Sequence, residues 1–476
     1  MKPILLAATA LANLASAQPP RPGPAVVPPR PTPVAVAVAP RVAAVQARAL
    51  ADDTAYSIVE GLTTEVGPRL DGTEAEARAR DWAVARLTAM GFHNVRVEPF
   101  SLPVWLRGTE SAEVVAPFPQ HLRLVGLGNS GATPRSGLTL PVAFFANLND
   151  LALAAPGSLK GRIAYVGNVM QPTQDGSSYG TEGPARFAGP SIAAGKGASA
   201  ILIRSIGTDH GRGPHAGVTE WASGVKPIPA AALSVADAEQ LERMAKRGRE
   251  VIVRLVLDDH PVGMRQSGNV VAEVPGTDPA AGIILIGGHL DSWDLGTGAI
   301  DDGAGVAITA AAAKLLMDMG PHRRTVRLVW FGDEETGGFG GVAYAKAHGG
   351  EVHALAAESD FGADRVWRVL TTFPPSAAAV GDRLAAALQP LGVVRGREPA
   401  HGGTDVEPTL ALGAPAVDLN QSGLRYFDYH HTPEDTLDRI DPDQLRQNVA
   451  AWVTMLAVVA DAPEAIGPVP AGPAHR

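Results

Sequence analysis

At 476 residues, with 45% hydrophobic and 19% charged side chains, the chain exceeds one ordinary core and reads as two folded soluble domains. A net charge of −9, with no basic run or interleaved aromatic patch, argues against a nucleic-acid or anionic-membrane partner. Cysteine is absent, which excludes disulfides, a thiol nucleophile, a thiolate zinc site and lipidation through a cysteine.

The first elements are targeting and spacing segments. Lys2, the apolar stretch Ile4 to Leu14 and Ala15-Ser16-Ala17 predict a signal peptide over residues 1–17, hence a secreted or periplasmic protein. That apolar stretch is too short to span a membrane. Nine of the 23 residues from Gln18 to Pro40 are proline, so residues 18–42 read as an extended linker.

Residues 43–130 are expected to open the main domain, with a helical pattern to about Gly67, a helix from Thr73 to Met90 capped by Gly91, and a strand over VRVEPFSLPV. Residues 131–258 have a different texture, with short β-rich runs broken by Gly, Pro and Ser, and read as an inserted module. His210 and His215 in TDHGRGPHAG fall in this module and read as polar surface. Residues 259–465 alternate strand and helix, and 466–476 form a tail. The alternation predicts an α/β domain with a mixed, mainly parallel sheet covered by helices on both faces.

Four short pieces of that last region carry the chemistry: GGHLDSWDLGTGAIDDGAG from Gly287, VWFGDEETGG from Val329, AAESDFG from Ala356 and YHHTPEDT from Tyr429. They supply His289, Asp301, Glu335, Asp360 and either His430 or His431, with Glu334 beside Glu335. Most fall just after predicted strands, where open α/β sheets gather ligands. Two histidines and several carboxylates are what a zinc pair needs to share one bridging oxygen ligand. Asp291, two residues beyond His289 on an extended strand, is placed to hold the imidazole by hydrogen bond. One acid of the Asp301-Asp302 pair would suffice as a helix cap, which leaves the other for a cation. Glu334 and Glu335 read as a base and a ligand. His401 and Asp405 in HGGTD are candidates for the substrate wall.

Other signatures fail. There is no H-E-x-x-H, and the G-x-G-x-x-G at Gly126–Gly131 is followed by Ala-Thr-Pro instead of a helix.

With these pieces together, the sequence resembles the family-28 zinc metallopeptidases, and within them the plasma glutamate carboxypeptidase (carboxypeptidase Q) branch. The motifs that carry this are GHLDSWD, GAIDDGAG, FGDEETGGFG, AESD and YFDYHHTPEDT. The resemblance implies a zinc exopeptidase fold with a protease-associated domain as the insertion, two Zn2+ per chain, short peptide substrates with free termini, and a possible homodimer. It assigns His289, Asp301 as the bridge, Glu335, Asp360 and His431 to metal, and Glu334 to proton transfer. Aminopeptidase, dipeptidase and carboxypeptidase action all remain open. The alternatives are a glutaminyl cyclase-like single-zinc transferase and a non-catalytic binding scaffold.

Overall fold

The computed structural model describes residues 39–469, so the expected signal peptide and most of the linker lie outside the described residues. The first helix, Pro40–Ala49, begins inside the expected linker. Its proline sits at the first turn, where the missing N–H costs nothing. The single helical pattern to Gly67 is broken instead into Pro40–Ala49 and Thr54–Gly61. The break falls where Asp52 Oδ1 accepts the Thr54 N–H at 2.8 Å. The expected tail starts packed, with Ile466 fully buried.

The main sheet has five strands in the spatial order His93–Leu106, His260–Val274, Thr325–Phe331, Ile283–His289, His353–Glu358. Ile283–His289 runs parallel to both of its neighbours, whereas His260–Val274 is antiparallel to both of its own. The sheet is therefore evenly mixed, where a mainly parallel one was expected. Its pleat divides the core. Ile284, Ile286, Leu328 and Trp330 face the cluster that includes the helices Ala304–Asp318 and Pro442–Val459. Leu285, Val329, Phe331 and Ala356 pack on the other side around Tyr344 of the helix Phe339–His348. Alternation of this kind on central strands puts helices on both faces.

An excursion leaves this sheet at Leu106 and returns at His260, residues that pair with each other across the two strands. Between them lies an eight-stranded sheet whose strands run from Glu110–Ala116 to Ile252–Leu257. The inserted unit was expected from residue 131, yet the strands Glu110–Ala116, Gln120–Leu122 and Leu124–Gly126 already belong to its sheet. The reason is pairing: Glu110–Ala116 lies antiparallel to the returning strand Ile252–Leu257. Among the described residues, no helix is long and apolar enough to cross a membrane.

Parallel register carries the strands Thr325–Phe331, Ile283–His289 and His353–Glu358 to one end of the sheet. His289 is opposite Phe331, and Gly287 is opposite Glu358, so the segments after Phe331 and Glu358 open beside His289. The helix Ala304–Asp318 seats its first turn on the same end. A Cβ added at Gly305 would lie 1.8 Å from the Ser359 carbonyl oxygen and 2.3 Å from Asp302 Oδ1. In an open helix Gly→Ala gains about 1 kcal/mol. Here overpacking reverses the sign, and Gly305→Ala is expected to lower stability by about 2 kcal/mol or more in urea unfolding. An unchanged or raised midpoint would show that the helix is not seated this tightly.

Candidate metal centre

Asp301 stands at the middle of the site because its main chain is held from behind. The Asp435 carboxylate accepts three successive backbone N–H groups, from Ala299 at 2.9 Å, Ile300 at 2.7 Å and Asp301 at 3.2 Å. The buried Arg69 guanidinium donates to the carbonyls of Thr297 at 2.7 Å and Gly298 at 2.9 Å, fixing the same turn. Asp302 does the capping: its Oδ1 accepts the Gly305 N–H at 3.0 Å and its Oδ2 accepts the His289 N–H at 3.2 Å. The two adjacent acids thus divide their work, with one tying helix to strand and the other free to face the centre.

The two carboxylate oxygens of Asp301 face different histidines. Oδ1 lies 3.1 Å from His289 Nε2, and Oδ2 lies 3.2 Å from His431 Nε2. On the first side Asp360 Oδ1 is 3.6 Å from His289 Nε2, and on the second Glu335 Oε2 is 2.9 Å from His431 Nε2. Asp301 Oδ2, Glu335 Oε1 and Asp360 Oδ1 are buried without a hydrogen-bond partner. Buried polar atoms are ordinarily satisfied, so acceptors left open and turned together fit a cation. Ligand atoms of His289, Asp301 and Glu335, and of His289, Asp302 and Asp360, come within 4.8 Å of one another, as do those of Asp301, His430 and His431.

Both imidazoles are oriented by main-chain carbonyls. His289 Nδ1 donates to Asp291 O at 3.1 Å, and His431 Nδ1 donates to Ala216 O at 3.2 Å, which turns each Nε2 toward Asp301. The carboxylate of Asp291 was expected to hold the His289 ring; its Oδ1 is 3.6 Å away. It accepts instead the N–H groups of Glu334 and Glu335, both at 3.3 Å, and so positions the Asp333–Glu335 turn. His430, the alternative to His431, stacks on it at 3.5 Å between centroids. Its Nε2 is farther out, 3.6 Å from Asp301 Oδ2.

Electrostatics separates the groups further. Burial, together with repulsion from Asp360 and Glu335, pushes Glu334 well above the usual carboxylate range, although His289 opposes it. Against the cost of burial, hydrogen bonds from His289 and His431 hold Asp301 well below that range. Burial lowers His431, but Glu335 and Asp301 outweigh it and bring the ring up to about 9. His430 goes the other way, lowered by burial and by His431. Bound cations would lower the carboxylates and keep the imidazoles neutral. Glu334 is half-buried, and its carboxylate makes no hydrogen bond among the described residues.

The insertion reaches the centre through residues that sequence reasoning missed. His215 was expected on the surface but is buried. Its Nδ1 donates to the His430 carbonyl at 2.7 Å and its Nε2 donates to Asp209 Oδ1 at 2.8 Å. The Ala216 N–H donates to the His431 carbonyl at 2.9 Å, and Arg186 Nη1 donates to Ala216 O at 3.2 Å. His431 has φ +62°, a left-handed conformation that costs a side-chain-bearing residue about 1–2 kcal/mol. These bonds from the insertion hold it there. His210, by contrast, is on the surface as expected, its side chain 83% exposed. His401 lines a cavity beside Asp360, but Asp405 is fully buried with both carboxylate oxygens unpartnered and does not line that wall.

The sequence model of peptidase family M28 matches residues 269–456. Carboxypeptidase Q of Bos taurus is 34% identical over 417 residues, 87% of either chain. The crystal structure of a peptidase M28 precursor from Shewanella amazonensis SB2B superposes with a TM-score of 0.88 at 46% identity, covering 90% of this chain and 98% of that one. A zinc aminopeptidase from Bacillus subtilis shares the fold, with a TM-score of 0.61 at 19% identity over 86% of this chain and 95% of its own.

Removing the His215 donor is expected to loosen zinc. His215→Leu should weaken apparent zinc affinity by about 10- to 100-fold in chelator competition. His215→Asn keeps a donor near the Nδ1 position and should recover most of that loss. Equal losses in the two variants would mean that His215 acts through packing alone.

Proposed function

The chain belongs to peptidase family M28 and is a zinc metallopeptidase, and on that premise we propose an exported two-zinc exopeptidase that hydrolyses short peptides with free termini. The observation that carries the reading is Asp301, whose two oxygens face two separate sets of donors. One set is His289 with Asp360 and the other is His431 with Glu335, and each would hold one Zn2+ with Asp301 as the shared ligand. Zinc bound there supplies Lewis acidity toward the peptide carbonyl and toward the attacking water.

The chain's own groups handle the proton. Glu334 has no hydrogen bond to compete with and lies in the field of His289, Asp360 and Glu335. It takes the proton of the water as oxygen attacks the carbonyl carbon, then gives a proton to the amine nitrogen as the C–N bond breaks. Asp291 is a positioning residue, holding the N–H groups of Glu334 and Glu335 so that base and ligand keep opposite directions. The insertion, read as a protease-associated-like module, stands against the His430–His431 segment, a placement that supports restricted access for long or folded substrates. Signal removal after residue 17 and a homodimer belong to the same reading.

Purified enzyme should carry two zinc ions per chain and cleave a free dipeptide but not its N-acetylated form. Glu334→Gln should keep both zincs while kcat falls by about 10²–10⁴-fold. One zinc, with the peptides untouched and an N-terminal glutaminyl peptide cyclised, would favour a single-zinc transferase. Full zinc with no turnover of either kind would favour a binding scaffold. Unchanged turnover in the metal-replete variant would remove Glu334 as the base.

A further inference from the structure

A cavity of about 470 Å³ opens beside the centre, with Asp360 and Glu358 among its lining residues. That volume suits a small ligand group. Phe361, Leu370 and Leu419 give it apolar walls, and Arg368 and His401 line it as well.

Arg368 is fixed but unspent. It belongs to the strand Val366–Thr371, and its Nε donates to Asn420 Oδ1 at 3.0 Å on the paired strand. Its guanidinium lies over the Trp367 ring at 4.6 Å. The two terminal nitrogens make no hydrogen bond among the described residues, and the nearest carboxylate, Glu398 Oε2, is 3.9 Å from Nη1 on a side chain that is 61% exposed. A guanidinium anchored through Nε presents its remaining fork in one plane, the geometry that receives a carboxylate through two bonds.

The acids around the cavity each have a neighbour inside the protein on at least one oxygen. Glu358 Oε2 accepts the N–H groups of Asp405 at 2.9 Å and Val406 at 3.2 Å. Asp418 accepts those of His401 and Gly402, both at 2.8 Å. Asp360 faces His289, and Asp175 accepts the Ser177 N–H at 3.1 Å in an exposed turn. The acceptors left open among them are Glu358 Oε1 and Asp360 Oδ1, and the Arg368 fork supplies the unspent cationic donors.

We propose that this cavity is the subsite for a carboxylate-bearing part of the peptide, with Arg368 as the specificity-determining residue that binds that carboxylate. The inference rests on the two-zinc exopeptidase reading and refines its substrate class. The carboxylate has two sources, the C-terminus of a dipeptide or an acidic side chain, and four substrates separate them: Ala-Ala against Ala-Ala-amide, and Ala-Asp-amide against Ala-Asn-amide.

In wild type, kcat/KM for at least one carboxylate-bearing member is expected to exceed that of its neutral partner by about tenfold or more. In Arg368→Gln that ratio should fall to within about twofold of one. Arg368→Lys, which keeps the charge without the fork, should retain only part of it. A ratio confined to the first pair assigns the C-terminus, and a ratio in the second assigns the side chain. Wild type that cleaves all four without preference, or a preference that survives in a folded, zinc-replete Arg368→Gln enzyme, overturns the subsite and leaves the exopeptidase standing. Wild type that cleaves none of the four overturns both.

Discussion

Carboxylates that repel one another are buried together at one end of the main sheet, and much of the surrounding structure follows from that constraint. Asp291, Asp301, Asp302, Glu335 and Glu358 are all buried, with Asp360 and Glu334 beside them. Desolvating so many anions is unfavourable unless hydrogen bonds or cations offset it. The ones that can be satisfied by the chain are satisfied by main-chain N–H groups: Asp302 by His289 and Gly305, Asp291 by Glu334 and Glu335, Asp435 by the turn before Asp301. Oxygens of Asp301, Glu335 and Asp360 are left open and converge, with Glu358 Oε1 and the Glu334 carboxylate also unpartnered nearby. This division between acids that build the frame and acids that face inward is why neighbouring pairs such as Asp301-Asp302 and Glu334-Glu335 need both members.

Much of this was legible in the chain because the signals are local. A continuous apolar run such as IILIGG followed by His289, or TVRLVWFG followed by two glutamates, marks a buried strand and the polar groups at its end without outside information. The helices Ala304–Asp318 and Pro442–Val459 were equally plain from their length and composition. What was not legible depends on partners far away in sequence. Glu110–Ala116 looks like a strand in either sheet, and only its pairing with Ile252–Leu257 assigns it to the inserted one. TDHGRGPHAG reads as a polar loop, and nothing near it announces that His215 will be buried against a carbonyl 215 residues away. Arg69, and Asp435 within YHHTPEDT, carry no local sign of their roles, which lie in the carbonyls and N–H groups they find.

The separation of roles between His430 and His431 is likewise a long-range effect. Local sequence treats the two alike. The insertion breaks the symmetry by binding the carbonyls of both residues, one through His215 and the other through Ala216 N–H, and by offering the Ala216 carbonyl to His431 Nδ1. That directs one Nε2 toward Asp301 and Glu335 and leaves His430 stacked behind it, its Nδ1 buried without a partner.

A left-handed residue at this position ties metal binding to the packing of the insertion. Withdrawal of the loop at residues 205–219 would remove the Ala216 bonds that hold His431 at φ +62° with its imidazole 2.9 Å from Glu335. A cation bound at the centre favours the arrangement in which His431 is in place, and so favours the docked insertion as well. The coupling is reciprocal, since whatever stabilises the Asp209–His215 pair also preorganises the His431 side of the candidate centre. The insertion is therefore part of the apparatus that assembles the site, as well as a wall beside it.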